Sequence, residues 1–262
     1  MGGKVILARE GKIATVTLSN PAKKNALNLA LLSELRNAFA RLAEEDVRCV
    51  VLRGEGTESF CAGYDIDAIP AGGSGGAQVL LPDNPFDDMI RSLEAFPVPV
   101  IAMLNGFAFG GGLETAVACD LRIASDQAVF GMPPARLGVI YRPAGLMRFV
   151  RAIGLPATKE LFFTAGKVSA RRAMEMNLVN RICPPSALAQ AALETAREIA
   201  GNAPLSVRGT KRILSMCTEF RGLPPGEAEE AEDLIRRCME SDDLAEGKKA
   251  FQEKRNPVFR GR

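Results

Sequence analysis

The chain has 262 residues, 47% of them apolar, a formal charge of +2 and no histidine. A chain of this size buries a sizeable core as one domain, or one domain with an appendage, and its mixed, nearly balanced charge gives neither a nucleic-acid footprint nor a membrane-surface patch. The missing imidazole excludes Ser-His-Asp and Cys-His nucleophile systems, histidine metal sites and imidazole acid–base catalysis, which leaves proton transfer to carboxylates, Tyr, Cys, Lys or water.

In chain order, Val5–Ala8 and Ile13–Leu18 alternate as strands about a turn at Glu10-Gly11. After a loop at Ser19–Leu27, Asn28 is placed as the N-cap of a helix with Leu31, Leu35, Ala38, Phe39 and Leu42 on its apolar face. Val47–Leu52 and Val98–Leu104 read as buried parallel strands, and strands alternating with helices predict an α/β core. The Gly-rich stretch 70–85 reads as a surface loop or an active-site lid. Ala187–Ala200, Pro204–Cys217 and Glu227–Glu240 have helical patterns, and no internal repeat is visible. No apolar run approaches the roughly 20 residues that span a bilayer. The first ten residues lack signal-peptide features. Six scattered cysteines without a C-x-x-C pair read as reduced thiols, most of them buried. A cytoplasmic location without a metal site is the expectation.

Two segments, each after a predicted strand, carry the chemistry: Ser59-Phe60-Cys61-Ala62-Gly63-Tyr64-Asp65-Ile66, and Asn105-Gly106-Phe107-Ala108-Phe109-Gly110-Gly111-Gly112-Leu113-Glu114. Three glycines between a strand and a helix leave backbone N–H groups bare at the positive end of a helix dipole, which suits a developing oxyanion. The same pattern also serves tight packing or phosphate binding, although it does not fit the nucleoside-triphosphate loop G-x-x-x-x-G-K-[ST]. Glu114, in the first helical turn, reads either as an acid/base near the Gly111 amide or as a surface residue complementing the dipole.

Taken in order, several segments resemble the crotonase (enoyl-CoA hydratase/isomerase) superfamily. They are Asn20-Pro21 with Asn25-Ala26-Leu27-Asn28, Phe60–Ile66, Pro99–Gly106 running into Gly110-Gly111-Gly112, Cys119–Ala124, Phe130–Pro133 and Phe251–Arg255. The resemblance implies a spiral of stacked ββα turns over 1–200. It also implies a helical C-terminal subdomain over 201–262 that builds homotrimers, often paired into hexamers. The implied partner is an acyl-CoA thioester, with coenzyme A part of the substrate, no other cofactor, no nucleic acid and no membrane. The oxyanion N–H donors would be those of Tyr64 and Gly111. Coenzyme A would lie along Lys24, Ala26, Leu27, Ala62, Asp65 and Ile66, and Phe251 and Lys254 would reach a neighbouring subunit's CoA.

Family membership leaves the reaction open. Hydratases of the superfamily carry one glutamate at the position of Glu114 and a second twenty residues on, where this chain has Pro134. Ala62-Gly63-x-Asp65-Ile66, Leu137-Gly138-Val139-x-Tyr141 and Lys159-Glu160-Leu161-x-Phe163-Thr164-Ala165 also resemble the superfamily's bacterial methylmalonyl-CoA decarboxylases, which have a functional Tyr at the position of Tyr141. The chain departs from them in having Tyr64 in place of His and Gly112 in place of Ala. Three expectations follow. In the first, Glu114 is the acid/base of a hydratase or isomerase. In the second, Tyr141 serves a decarboxylase, for whose carboxylate Arg136, Arg142 and Lys159 are candidate cations, each read first as structural or on the surface. The third is a non-catalytic CoA-binding or RNA-associated relative, which ranks below the enzymes because both glycine segments and Glu114 are intact.

Overall fold

A computed structural model describes residues 3–65, 84–219 and 222–261. The predicted hairpin is β1 (Lys4–Glu10) with β2 (Ile13–Ser19), antiparallel across a turn where Gly11 has φ +57°. Asn28 caps α1 (Leu29–Ala43) by accepting from the Leu31 N–H at 2.9 Å, and all five predicted apolar-face residues are buried.

From there the chain alternates between two sheets. β3 (Cys49–Gly54) joins the hairpin's sheet and β4 (Ser59–Cys61) starts a second one; residues 66–83, which include most of the Gly-rich stretch, lie outside the described residues, and α2 (Pro85–Glu94) follows. The step then repeats as β5 (Val100–Leu104), β6 (Phe107–Phe109) and α3 (Gly111–Val117), and as β7 (Leu121–Ser125), β8 (Val129–Gly131) and α4 (Pro134–Leu137). These are ββα turns, equivalent in geometry without being repeats in sequence. α5 (Pro143–Thr164), β9 (Val168–Ser169), α6 (Ala170–Glu175) and β10 (Arg181–Cys183) complete sheets ordered β1-β2-β3-β5-β7-β10 and β4-β6-β8-β9.

The central strands are buried on both faces, which is why they read as continuous apolar runs. Val50, Leu52, Val100 and Ala102 enter the main core, while their alternating neighbours Cys49, Val51, Ile101 and Met103 pack with Leu188, Ala191, Ala192 and Ala196 of α7 (Pro185–Gly201). This is the two-residue period of a strand serving two layers.

The C-terminal pattern yields α8 (Pro204–Thr218) and α9 (Pro225–Met239), and also a helix that the sequence analysis did not anticipate, α10 (Asp242–Gln252). Its start is legible in hindsight: Ser241 accepts from the Leu244 N–H at 3.2 Å, and Asp242 and Asp243 sit in the first turn, next to the positive dipole end. α10 docks on α4 through glycines, because a Cβ at Gly247 would fall 2.8 Å from the Leu137 carbonyl and one at Gly138 3.0 Å from the Leu244 nitrogen. α5 was missed as well; its pattern is interrupted where Gly154 leaves helical geometry (φ 74°, ψ 164°) ahead of Pro156. Among the described residues, no helix is long and apolar enough to cross a membrane.

Candidate active site

The two glycine segments abut. Tyr64 forms an isolated parallel bridge with Leu27, in which the bonds are made by its neighbours: the Leu27 N–H donates to the Gly63 carbonyl and the Asp65 N–H to the Leu27 carbonyl, both at 2.8 Å. In a parallel bridge the central residue's own N–H turns to the other side, so the ladder leaves the Tyr64 amide uncommitted. Gly63, at φ +101°, needs its missing side chain: a Cβ there would stand 2.8 Å from the Phe109 carbonyl oxygen and 3.7 Å from the Gly111 nitrogen.

Gly110 takes φ +50° to turn the chain from β6 into α3, and its own N–H donates to the Gly131 carbonyl at 3.0 Å. Gly111 is thus the first helical residue, and its N–H has no intrahelical acceptor. Gly112 cannot be exchanged freely, since a Cβ would meet the Cys61 carbonyl oxygen at 2.4 Å and the Cys61 side chain at 2.7 Å. With Cys61 in β4, the third glycine is a packing requirement.

Ala62, Tyr64, Gly111, Glu114, Pro134 and Tyr141 all line one cleft, whose empty volume counted out to its open mouth is about 1100 Å³. Tyr141 lies beside the Gly110 turn, because a Cβ at Gly110 would be 3.9 Å from its hydroxyl, and its ring meets Phe162 edge-on at 5.4 Å. Glu114 is buried, with Oε1 2.5 Å from Nη1 of Arg148. Desolvation pushes the Glu114 carboxyl up to about 7, Arg148 acts against that, and the charges of Asp87 and Glu94 add to it. Desolvation and then the charge of Glu114 raise the Tyr141 phenol well above its ordinary range, so it stays a neutral donor.

Other expected site residues stand elsewhere. Lys24, Ala26, Leu27 and Asp65 do not line the cleft, although Lys24 is bonded to the segment that does: the Lys24 carbonyl accepts from the Ala62 N–H at 3.0 Å, and Lys23 pairs with Asp65 at 2.6 Å. Ile66 lies outside the described residues. Phe251 and Lys254 are exposed at the far end of α10 and do not line this chain's cleft. Arg136 and Lys159 are exposed, as their surface reading expects, and neither lines the cleft. Arg142 does line it, paired with Glu232 of α9 at 2.5 Å.

Arg148, Asp87 and Lys248 were not among the residues expected from the sequence. Arg148 had a signal, for it interrupts the apolar face that includes Phe149 and Ile153, and a buried guanidinium demands carboxylate partners. Asp87 lines the cleft from the first turn of α2, where it and Asn84 cap each other: the Asp87 N–H donates to Asn84 Oδ1 at 2.9 Å, and Asn84 Nδ2 donates to Asp87 Oδ2 at 2.7 Å. Desolvation raises its carboxyl against the Asn84 bond and the charges of Arg148 and Arg142. Lys248 reaches the cleft from α10.

Two interleaved sheets joined through ββα turns, with a glycine turn and a carboxylate at one cleft, define a crotonase-type α/β enzyme. The profile of the enoyl-CoA hydratase/isomerase family matches residues 8–262, and the chain belongs to that family. The methylmalonyl-CoA decarboxylase of Escherichia coli (strain K12) is 34% identical over 95% of each chain. The short-chain-enoyl-CoA hydratase of Clostridium acetobutylicum is 37% identical over 96% of this chain and 95% of its own. A solved methylmalonyl-CoA decarboxylase in complex with 2-nitronate-propionyl-CoA superposes with a TM-score of 0.93, at 33% identity over 99% of each chain.

Proposed function

We propose that this enzyme decarboxylates a malonyl-type CoA thioester, a 2-carboxyacyl-CoA. The observation that carries the reading is Pro134, whose ring forms part of the cleft wall at the position where the family's hydratases hold their second glutamate. Proline has no proton to give, and decarboxylation needs no second carboxylate. In this reaction the Tyr64 and Gly111 N–H groups take the thioester oxygen. The bond from C2 to the carboxylate then breaks, its electron pair becomes the enolate, and carbon dioxide leaves. Tyr141 gives its proton to C2 and is reprotonated from solvent, so that each turnover releases one carbon dioxide and consumes one proton. Likeness to the E. coli decarboxylase supports the reading, while 34% against 37% identity does not separate the two reactions.

A second reading, hydration or double-bond isomerisation with Glu114 as acid/base, draws on that carboxyl titrating near neutrality beside a second cleft carboxylate, Asp87. Purified enzyme offered crotonyl-CoA, a 3-enoyl-CoA, malonyl-CoA and methylmalonyl-CoA, with products read by mass spectrometry, separates them. The expected result is loss of carbon dioxide from the last two and no water added to crotonyl-CoA. Hydration without carbon dioxide release would replace the first reading by the second, and turnover of nothing would leave a CoA-binding relative.

In the same proposal CoA runs along Lys24, Ala26, Leu27, Ala62 and Asp65, and Phe251 and Lys254 serve a neighbouring copy. Self-association is supported by α8, none of whose described residues is buried and which leaves Leu205 (86% exposed), Ile213, Leu214 and Met216 uncovered. Light scattering is expected to give a mass of three or six chains, and a monomer at micromolar concentration would remove this part of the proposal.

A further inference from the structure

Glu114 is held by a charge chain that spans three helices. Arg148, buried in α5, is gripped by Glu94 at the end of α2, with Nε to Oε1 at 2.7 Å and Nη2 to Oε2 at 3.2 Å, and spends its remaining Nη1 on Glu114 Oε1. One turn earlier, Gly145 clears the space for that carboxylate: a Cβ there would stand 3.0 Å from Glu114 Oε1 and 3.2 Å from Tyr141 Cδ1. Glu114 Oε2 has no protein hydrogen-bond partner among the described residues. No fully enclosed side-chain oxygen there is unsatisfied, so Oε2 must touch the open volume of the cleft that Glu114 lines.

We propose that Arg148, anchored by Glu94, is the positioning residue that governs Glu114: it occupies Oε1, leaves Oε2 as the atom through which a proton passes to or from C2 of a bound thioester, and keeps the carboxylate form available. The inference rests on the oxyanion reading of Tyr64 and Gly111 and on the reading in which Glu114 serves C2; with Tyr141 as the group at C2, exchange survives in Glu114→Gln and fails in Tyr141→Phe. Four groups face Glu114: Asp87 and Glu94 from α2, Tyr141 ahead of α5, and Arg148. Arg148 is the one cation among them, so its removal raises the pH at which Glu114 ionises. Its own charge is secure, because its desolvation is outweighed by the hydrogen bonds it donates to Glu94 and by the charges of Glu114, Glu94 and Asp87.

The test is exchange of the C2 hydrogens of propionyl-CoA with heavy water, read by mass spectrometry across pH. Oε2 would remove a proton from C2 and return a deuteron, with no net reaction. In the wild type, exchange is expected to rise to a plateau as Glu114 ionises, with its midpoint near 7. Arg148→Gln moves that midpoint up by about one unit or more. Arg148→Lys keeps the charge but not the fork, so the midpoint stays in place while the plateau drops about tenfold. Glu94→Gln, which frees Arg148 from its anchor, lowers the plateau too, and Glu114→Gln abolishes exchange. An unmoved midpoint in Arg148→Gln, a wild-type plateau in Arg148→Lys, or exchange surviving in Glu114→Gln overturns the inference. Should Arg148→Gln fail to fold, Arg148→Lys decides alone. Exchange indifferent to Gly111→Pro overturns the oxyanion reading and this inference with it, whereas exchange lost in Gly111→Pro but indifferent to Arg148 overturns this inference only.

Discussion

Gly111→Pro is expected to cut turnover of every accepted thioester by a factor of roughly 10²–10³, the value of one oxyanion donor, about 3–4 kcal/mol. Proline removes the N–H and puts a ring carbon in its place. At the first position of α3 that N–H has no intrahelical bond to lose, and the fixed φ of proline suits a helix start, so the fold should survive. Gly111→Ala is the matched control. It keeps the amide and adds a methyl 3.3 Å from the Phe86 ring, which must shift by a few tenths of an ångström. Its loss is expected to stay below about tenfold, about 1.4 kcal/mol. Steady-state rates, with thermal melts to verify folding, check the pair. Equal activity in wild type and Gly111→Pro would remove the two-amide site from the mechanism.

Tyr141→Phe and Glu114→Gln are expected to separate the reactions. Under the decarboxylase reading, Tyr141→Phe loses the proton donor at C2, and carbon dioxide release falls by roughly 10²-fold, the lower range for general acid catalysis. The ring keeps its edge-on contact with Phe162, so the loss belongs to the hydroxyl. Glu114→Gln retains an oxygen to accept from Arg148 and is expected to hold decarboxylation within about tenfold of wild type. For hydration or isomerisation the order reverses. Single-turnover rates on a 2-carboxyacyl-CoA and on a 2-enoyl-CoA measure both effects, and a Tyr141→Phe enzyme with wild-type decarboxylation would sink its assigned role.

Much of the scaffold was legible because its signals are local. The β1–β2 alternation, the Asn28 cap with Leu31, Leu35, Phe39 and Leu42 beneath it, and the glycine turn from β6 into α3 each depend on a few consecutive residues. α5 escaped because Gly154 and Pro156 break a continuous period, and α10 because only the short cap Ser241-Asp242-Asp243 marks its start. Glu114 and Tyr141, which line the cleft, were singled out through motif position, and Arg148 and Asp87 were not, since they carry no motif.

From the sequence alone came the α/β class, the glycine segments, and the exclusion of histidine chemistry, all of them consequences of composition, period and backbone freedom, while the ββα arrangement was implied by the family resemblance. Tertiary structure decided which charges meet at Glu114. Arg148 meets Glu114 across 34 positions and Glu94 across 54, while Arg136 and Lys159 face away. These pairings exist because α2, α3 and α5 dock at one cleft, and the angle at which helices dock is set by packing between distant surfaces rather than by the residues adjacent in the chain.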